Sequence, residues 1–127
     1  METQTTRFIN VDLELRCASG VRPLVHVLQP ALVAVQLEDD WACLELDGQP
    51  HTVEEAMVGF SELIEKLPQA PREAWQRCEQ RRLDVGIQAG AQPYSSQFHI
   101  SANTLQRLAS LGTEVVFTVY APDVTAR

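Results

Sequence analysis

Residues 83–101 read LDVGIQAGAQPYSSQFHIS, and they set two glycines, a proline, three serines, a tyrosine and a histidine side by side. Ser95 and Ser96 near His99 raise the chemistry of a serine nucleophile and its base. A catalytic serine is usually held on a sharp elbow such as G-x-S-x-G, and no such elbow occurs. Closeness in sequence adds little, because triads are assembled in space. GIQAG fits neither the phosphate loop, which needs G-x-x-x-x-G-K-[ST], nor the dinucleotide turn, which needs G-x-G-x-x-G. One ligand chemistry stays open here: a pocket in which Asp84, Tyr94 and His99 meet a small molecule and Gly86 and Gly90 let it approach the backbone.

The other reactive groups are scattered. Cys43 would lie among carboxylates, which raise a thiol's pKa and blunt it as a nucleophile. Cys17, Cys43 and Cys78 form no C-x-x-C pair, so reduced, buried thiols are expected rather than a disulfide framework. His26, His51 and His99 show no zinc-binding spacing. Asp39-Asp40 beside Glu38 lacks the spaced oxygens of a calcium loop and reads as a turn. No metal, no cofactor and no catalytic residue is therefore expected, and the enzymatic reading is the weaker one.

Periodicity supplies the frame that would position these groups. RFINVDLELRC alternates, with Ile9, Val11, Leu13 and Leu15 on one side and Phe8, Asn10, Asp12, Glu14 and Arg16 on the other, which predicts a half-buried strand. RPLVHVLQP predicts a short helix between its prolines. ALVAVQLEDDWACLELDG predicts two strands turning at Asp39-Asp40. In the first, Val33, Val35 and Leu37 face the core; in the second, Ala42, Leu44 and Leu46 do so.

In HTVEEAMVGFSELIEKLP, Thr52 and Glu55 form a capping box ahead of apolar residues at helical spacing. PREAWQRCEQRR predicts a further helix, with Glu73, Arg77 and Arg81 four apart on a solvated face that also takes Arg72 and Arg82. LDVGIQAG returns to period two, SANTLQRLASLG is a helix capped by Ser101 and closed at Gly112, and TEVVFTVYAP is the last strand. Strands that alternate so regularly have only one covered face. The fold expected is α+β: a two-layer sandwich, a mainly antiparallel sheet with helices on one face, ferredoxin-like with an added helix and strand. At 127 residues it forms a single domain over 1–127, frayed at 1–6 and 122–127.

INVDLELR near the start and SANTLQRLASLGTEVVFTVYAP near the end resemble a family of small uncharacterised bacterial α+β domains of unknown function. The resemblance covers most of the chain in order and implies a bacterial source and this fold, but no functional residues. Related domains occur among immunity proteins of bacterial toxin systems, an analogy of fold.

Charge narrows the function further. The chain carries a net charge of -7, and residues 1–67 hold four basic side chains against twelve acidic ones. Nucleic acid would be repelled by such a chain. No apolar run approaches the roughly 18 residues of a membrane span, and METQTTRFIN lacks a signal-like apolar core, so a cytoplasmic protein without membrane contact is expected. Alternation in the strands puts Asp12, Glu14, Glu38, Glu45 and Asp47 on the open sheet face with Trp41 and Tyr120. Acids steer association and aromatic rings anchor it, so this face fits a basic protein partner, and an immunity- or antitoxin-like binding domain is the most concrete form. Homodimerisation through the same face is the rival, with like charges set off the axis.

Overall fold

The structure, a computed structural model, describes residues 4–122. In chain order the elements are β1 (Arg7–Arg16), α1 (Arg22–Leu28), β2 (Leu32–Leu37), β3 (Trp41–Leu46), α2 (Val53–Glu65), α3 (Gln69–Arg77), β4 (Gln80–Gln88), α4 (Ala102–Ser110) and β5 (Glu114–Tyr120). They form the expected α+β sandwich around one five-stranded sheet of order β2-β3-β1-β4-β5. β1 pairs antiparallel with β3 and with β4, and β2 pairs antiparallel with β3. The first four strands thus take the ferredoxin-like order. α4 then carries the chain over to β5, which adds to β4 in parallel.

Alternation in the strands decides the layers. Val11, Leu13 and Leu15 of β1, Ala42 and Leu44 of β3, and Leu83, Val85 and Ile87 of β4 are buried. They pack with Leu24, Val25 and Leu28 of α1 and with Met57, Phe60 and Ile64 of α2 in one core. The helix ends follow local chemistry. Thr52 Oγ1 accepts from Glu55 N at 3.0 Å, and the Glu55 carboxylate reaches back to His51 N at 3.3 Å. Ser101 Oγ accepts from Thr104 N at 3.1 Å. Gly112 has φ +67°, its N–H bonds Ala109 O and that of Thr113 bonds Leu108 O, a Schellman closure of α4.

Two bulges move side chains that strict alternation misplaces. The β1–β4 register shifts between Phe8 and Asn10, so Phe8 stands opposite Ile87 and packs on the core. Ile9 instead reaches the open side, beside Asn10 and Gly86. A second shift between Ala34 and Gln36 pairs Val33 with Glu45 and Leu37 with Ala42. Leu32, Ala34 and Leu37 therefore face the core, while Val33 and Val35 are exposed.

The helix expected through Arg82 ends at Arg77, and β4 starts at Gln80. Arg81 is better used from the strand. Its guanidinium donates to Trp75 O at 2.9 Å and Gln76 O at 3.1 Å, which satisfies the last carbonyls of α3, and it lies over the Trp75 ring.

The thiol expectation also changes. Antiparallel pairing of Arg16 with Gln80 brings the strand ends together, and Cys17 and Cys78 are joined as a disulfide across 61 residues of sequence. Spacing along the chain could not reveal a contact made by register. Closing a loop of this size limits the unfolded chain and stabilises the fold by about 4 kcal/mol in the chain-entropy account. The double variant Cys17→Ser/Cys78→Ser should melt roughly 10 °C or more below the oxidised protein. Added reductant should lower the melting midpoint of the parent protein and leave that of the variant in place.

Candidate functional site

On the side of the sheet away from the helices, register places carboxylates next to one another. Asp12 is opposite Glu45 on β3 and opposite Asp84 on β4. Directly opposed residues in antiparallel strands lie only about 4.5–5.5 Å apart at Cα, so three acids form a row across three strands with Asp12 at its centre. Each end of the row is held. Asn10 Nδ2 donates to Glu45 Oε2 at 2.7 Å, and Thr118 Oγ1 donates to Asp84 Oδ1 at 2.7 Å.

Partial burial and the charges of Glu45, Asp84 and Glu14, in that order, push the Asp12 carboxyl up to about 6. The nearby cation does little to offset this. Arg82, two residue pairs along from Asp84, donates to Glu114 Oε1 at 2.9 Å and to Glu14 Oε1 at 3.5 Å. Its place here corrects the expectation of a solvated helix face for Arg82.

Cys43 stands opposite Glu14 on the same face and is 8% exposed. Burial, reinforced by Asp12, Glu14, Glu45 and Asp84, pushes its thiol up to about 12. It is therefore a protonated thiol at neutral pH, which is the wrong state for a nucleophile.

Beside the row the face is hollowed. A depression of about 180 Å³ is lined by Ile9, Asn10, Asp12, Glu45, Asp84, Gly86 and Tyr120. Gly86 explains the hollow. A Cβ at that position would meet Asn10 O at 3.6 Å, Tyr120 Cε2 at 3.7 Å and Ile9 Cβ at 3.8 Å, all ordinary contacts. The site thus tolerates a side chain, and glycine leaves the floor open beneath the Tyr120 ring.

The expected face is therefore partly assembled. Asp12, Glu45 and Tyr120 surround one hollow together with Asp84, and Glu14 is tied to Arg82. Trp41 pairs with Arg16 at the far end of β1 and β3. Glu38 lies outside β2 at the exposed turn, with its N–H on Trp41 O. Asp47 does not join the face: β3 stops at Leu46, and Asp47 rims a different cavity of about 300 Å³ with Gln49, Pro50 and Gly59.

The alternative pocket is not brought together. Asp84 and Gly86 line the hollow, whereas Tyr94 is fully exposed. His99 lines a separate cavity beside Phe8 and the start of α2. Gly90 has its own structural reason, because a Cβ there would collide with the backbone of Gln4 and Thr5. Ile9 is the site residue that strict alternation puts on the wrong side, because the bulge hid it, whereas Asn10 stands on the open side as alternation predicts. That Asn10 and Thr118 hold Glu45 and Asp84 needed the strand register.

Among the described residues no three His, Cys, Asp or Glu side chains gather so as to hold a metal ion. What the hollow offers is half-buried negative charge beside an aromatic ring, chemistry that suits an ammonium or guanidinium group. Compared with known proteins, the chain matches no family model, no curated protein and no solved structure.

Ionised Asp12 is a cost to the fold. Its folded pKa is raised, so the folded state holds a proton that the unfolded state releases, and stability declines as pH rises from about 4 through about 6. Asp12→Asn should relieve this. At pH 8 the variant should melt about 3–5 °C above the parent, ~1 kcal/mol once solvent screening is allowed for. At pH 3.5 the two should melt together in thermal denaturation.

Proposed function

We propose that the open sheet face is a docking surface for a basic protein partner, with a lysine or arginine of that partner seated between Tyr120 and the Glu45–Asp12–Asp84 row. The observation that carries this reading is the Asp12 carboxyl, raised to about 6 in a row whose nearest arginine already serves Glu14 and Glu114. A cation delivered from outside would remove the mutual repulsion of these acids, and the exposed Tyr120 ring would cover its apolar stem. Direct face-to-face self-association would instead stack two acidic rows, so a basic partner fits better than a second copy. The same sign of charge disfavours nucleic acid.

An immunity- or antitoxin-like role in a bacterium is the concrete form of this proposal. It rests on the resemblance of the first and last segments and on the acidic face together. Among the described residues no helix is long and apolar enough to cross a membrane. A cytoplasmic setting belongs to the same proposal, and the Cys17–Cys78 bond weighs against it, because reducing compartments keep such pairs open.

The test is capture of the binding partner from source cells with the intact chain as bait, followed by its identification and purification. The purified partner should be basic, and Glu45→Arg should weaken its binding at least about tenfold, as loss of an attractive pair and gain of a like charge require. Affinity should also fall as pH drops through about 6, since protonating Asp12 removes the charge the partner's cation needs. An acidic partner, or binding indifferent to Glu45→Arg, would sink the proposal.

A further inference from the structure

A second cavity shares no lining residue with the hollow of the docking face. Between the start of β1, the start of α2 and the segment before α4 is a cavity of about 560 Å³. Its volume falls within the range of small-molecule sites, roughly 300–1,000 Å³. The lining is mixed in a particular way. Phe8, Val53 and Phe98 give apolar walls, and Arg7, His51 and His99 give a cation and two imidazoles.

The acid at this cavity does not compete for the cation. Glu54 is turned to α4, where its carboxylate accepts from Ser101 N at 2.8 Å, Ser101 Oγ at 3.0 Å and Thr104 Oγ1 at 2.7 Å. Those hydrogen bonds hold its carboxyl below the usual range, so it stays a saturated structural anion. The other neighbouring acid, Glu55, is taken up by His51 N and by His51 Nδ1 at 3.5 Å. Arg7 and His99, by contrast, make no ion pair among the described residues.

We infer that this cavity binds a small organic anion, a carboxylate on an aromatic or branched apolar body. The apolar body lies against Phe8, Val53 and Phe98, and the carboxylate takes the Arg7 guanidinium and a ring N–H of His99. An imidazole carries an N–H in either neutral tautomer, so His99 donates without being protonated, whereas the Nδ1 of His51 is engaged with Glu55. Arg7 supplies the charge, and its planar fork suits a carboxylate. Arg7 is the one arginine or lysine of the lining, in a chain of net charge -7. A bare inorganic ion would use only the polar part of this lining, which is why the ligand class includes an apolar body.

The experiment is an amide NMR titration of the intact protein with 1-naphthoate, and separately with 1-naphthylmethylamine, which keeps the ring and reverses the charge. Naphthoate should shift the amides of Arg7, Val53, Glu54, Phe98 and His99 along one saturable curve. The amine should bind there at least about tenfold more weakly. Arg7 is exposed, so Arg7→Glu should fold, and it should weaken naphthoate about tenfold or more. Arg7→Gln, with a smaller loss in the same direction, guards against a folding defect in the first variant. Equal affinity for the two probes, affinity untouched by both variants, or shifts centred on the exposed Leu105, Phe117 and Val119 would each overturn the inference.

Discussion

β1 is hydrogen-bonded on both flanks, and this double pairing is the constraint on which the rest of the structure depends. A strand paired on both sides cannot rotate or slip without breaking two ladders. Its period of two therefore sends Val11, Leu13 and Leu15 to the core and Asp12 and Glu14 to the open face. The same register that builds the core compels Asp12 to stand between Glu45 and Asp84. The acidic row is a consequence of the most secure contact in the fold, and the repulsion within it is held in place by that contact.

The two layers divide the work accordingly. The helix side provides the stability that tolerates the row, through Phe60, Met57, Ile64 and the strand residues packed beneath them. At the strand ends the Cys17–Cys78 bond ties β1 to the start of β4, which holds the Asp12–Asp84 register from outside the site. Thr118 and Asn10 then orient the outer carboxylates, and the central one, half-buried, has Glu45 for its hydrogen-bond partner.

Element order and part of the sheet's outer face were legible in the residues because alternation and capping are local signals. Thr52, Ser101 and Gly112 each do what their type predicts. The failures come from backbone irregularities and from contacts between distant residues. A bulge at Ile9 reverses Phe8, a second at Val35 exposes Val33, and neither leaves a mark in a run of apolar residues. Arg81 and Arg82 continue a helical charge pattern past Arg77, yet tertiary partners, the carbonyls of α3 and Glu14 with Glu114, draw them into a strand. Gly86 and Gly90 look alike in sequence. One leaves a floor open under Tyr120, and the other lets the N-terminal segment pass.

The central claim is that the open face carries a carboxylate left short of positive charge by its own fold and satisfied by a cation from outside. Its most direct test is the titration of the Asp12 carboxyl carbon by NMR, in the protein alone and with a saturating arginine-rich peptide. Alone, the carboxyl should titrate near 6, and with the peptide it should move down toward the ordinary carboxylate value of about 4. A carboxyl that titrates near 4 in the free protein, or one near 6 that the peptide leaves unmoved, would contradict the account.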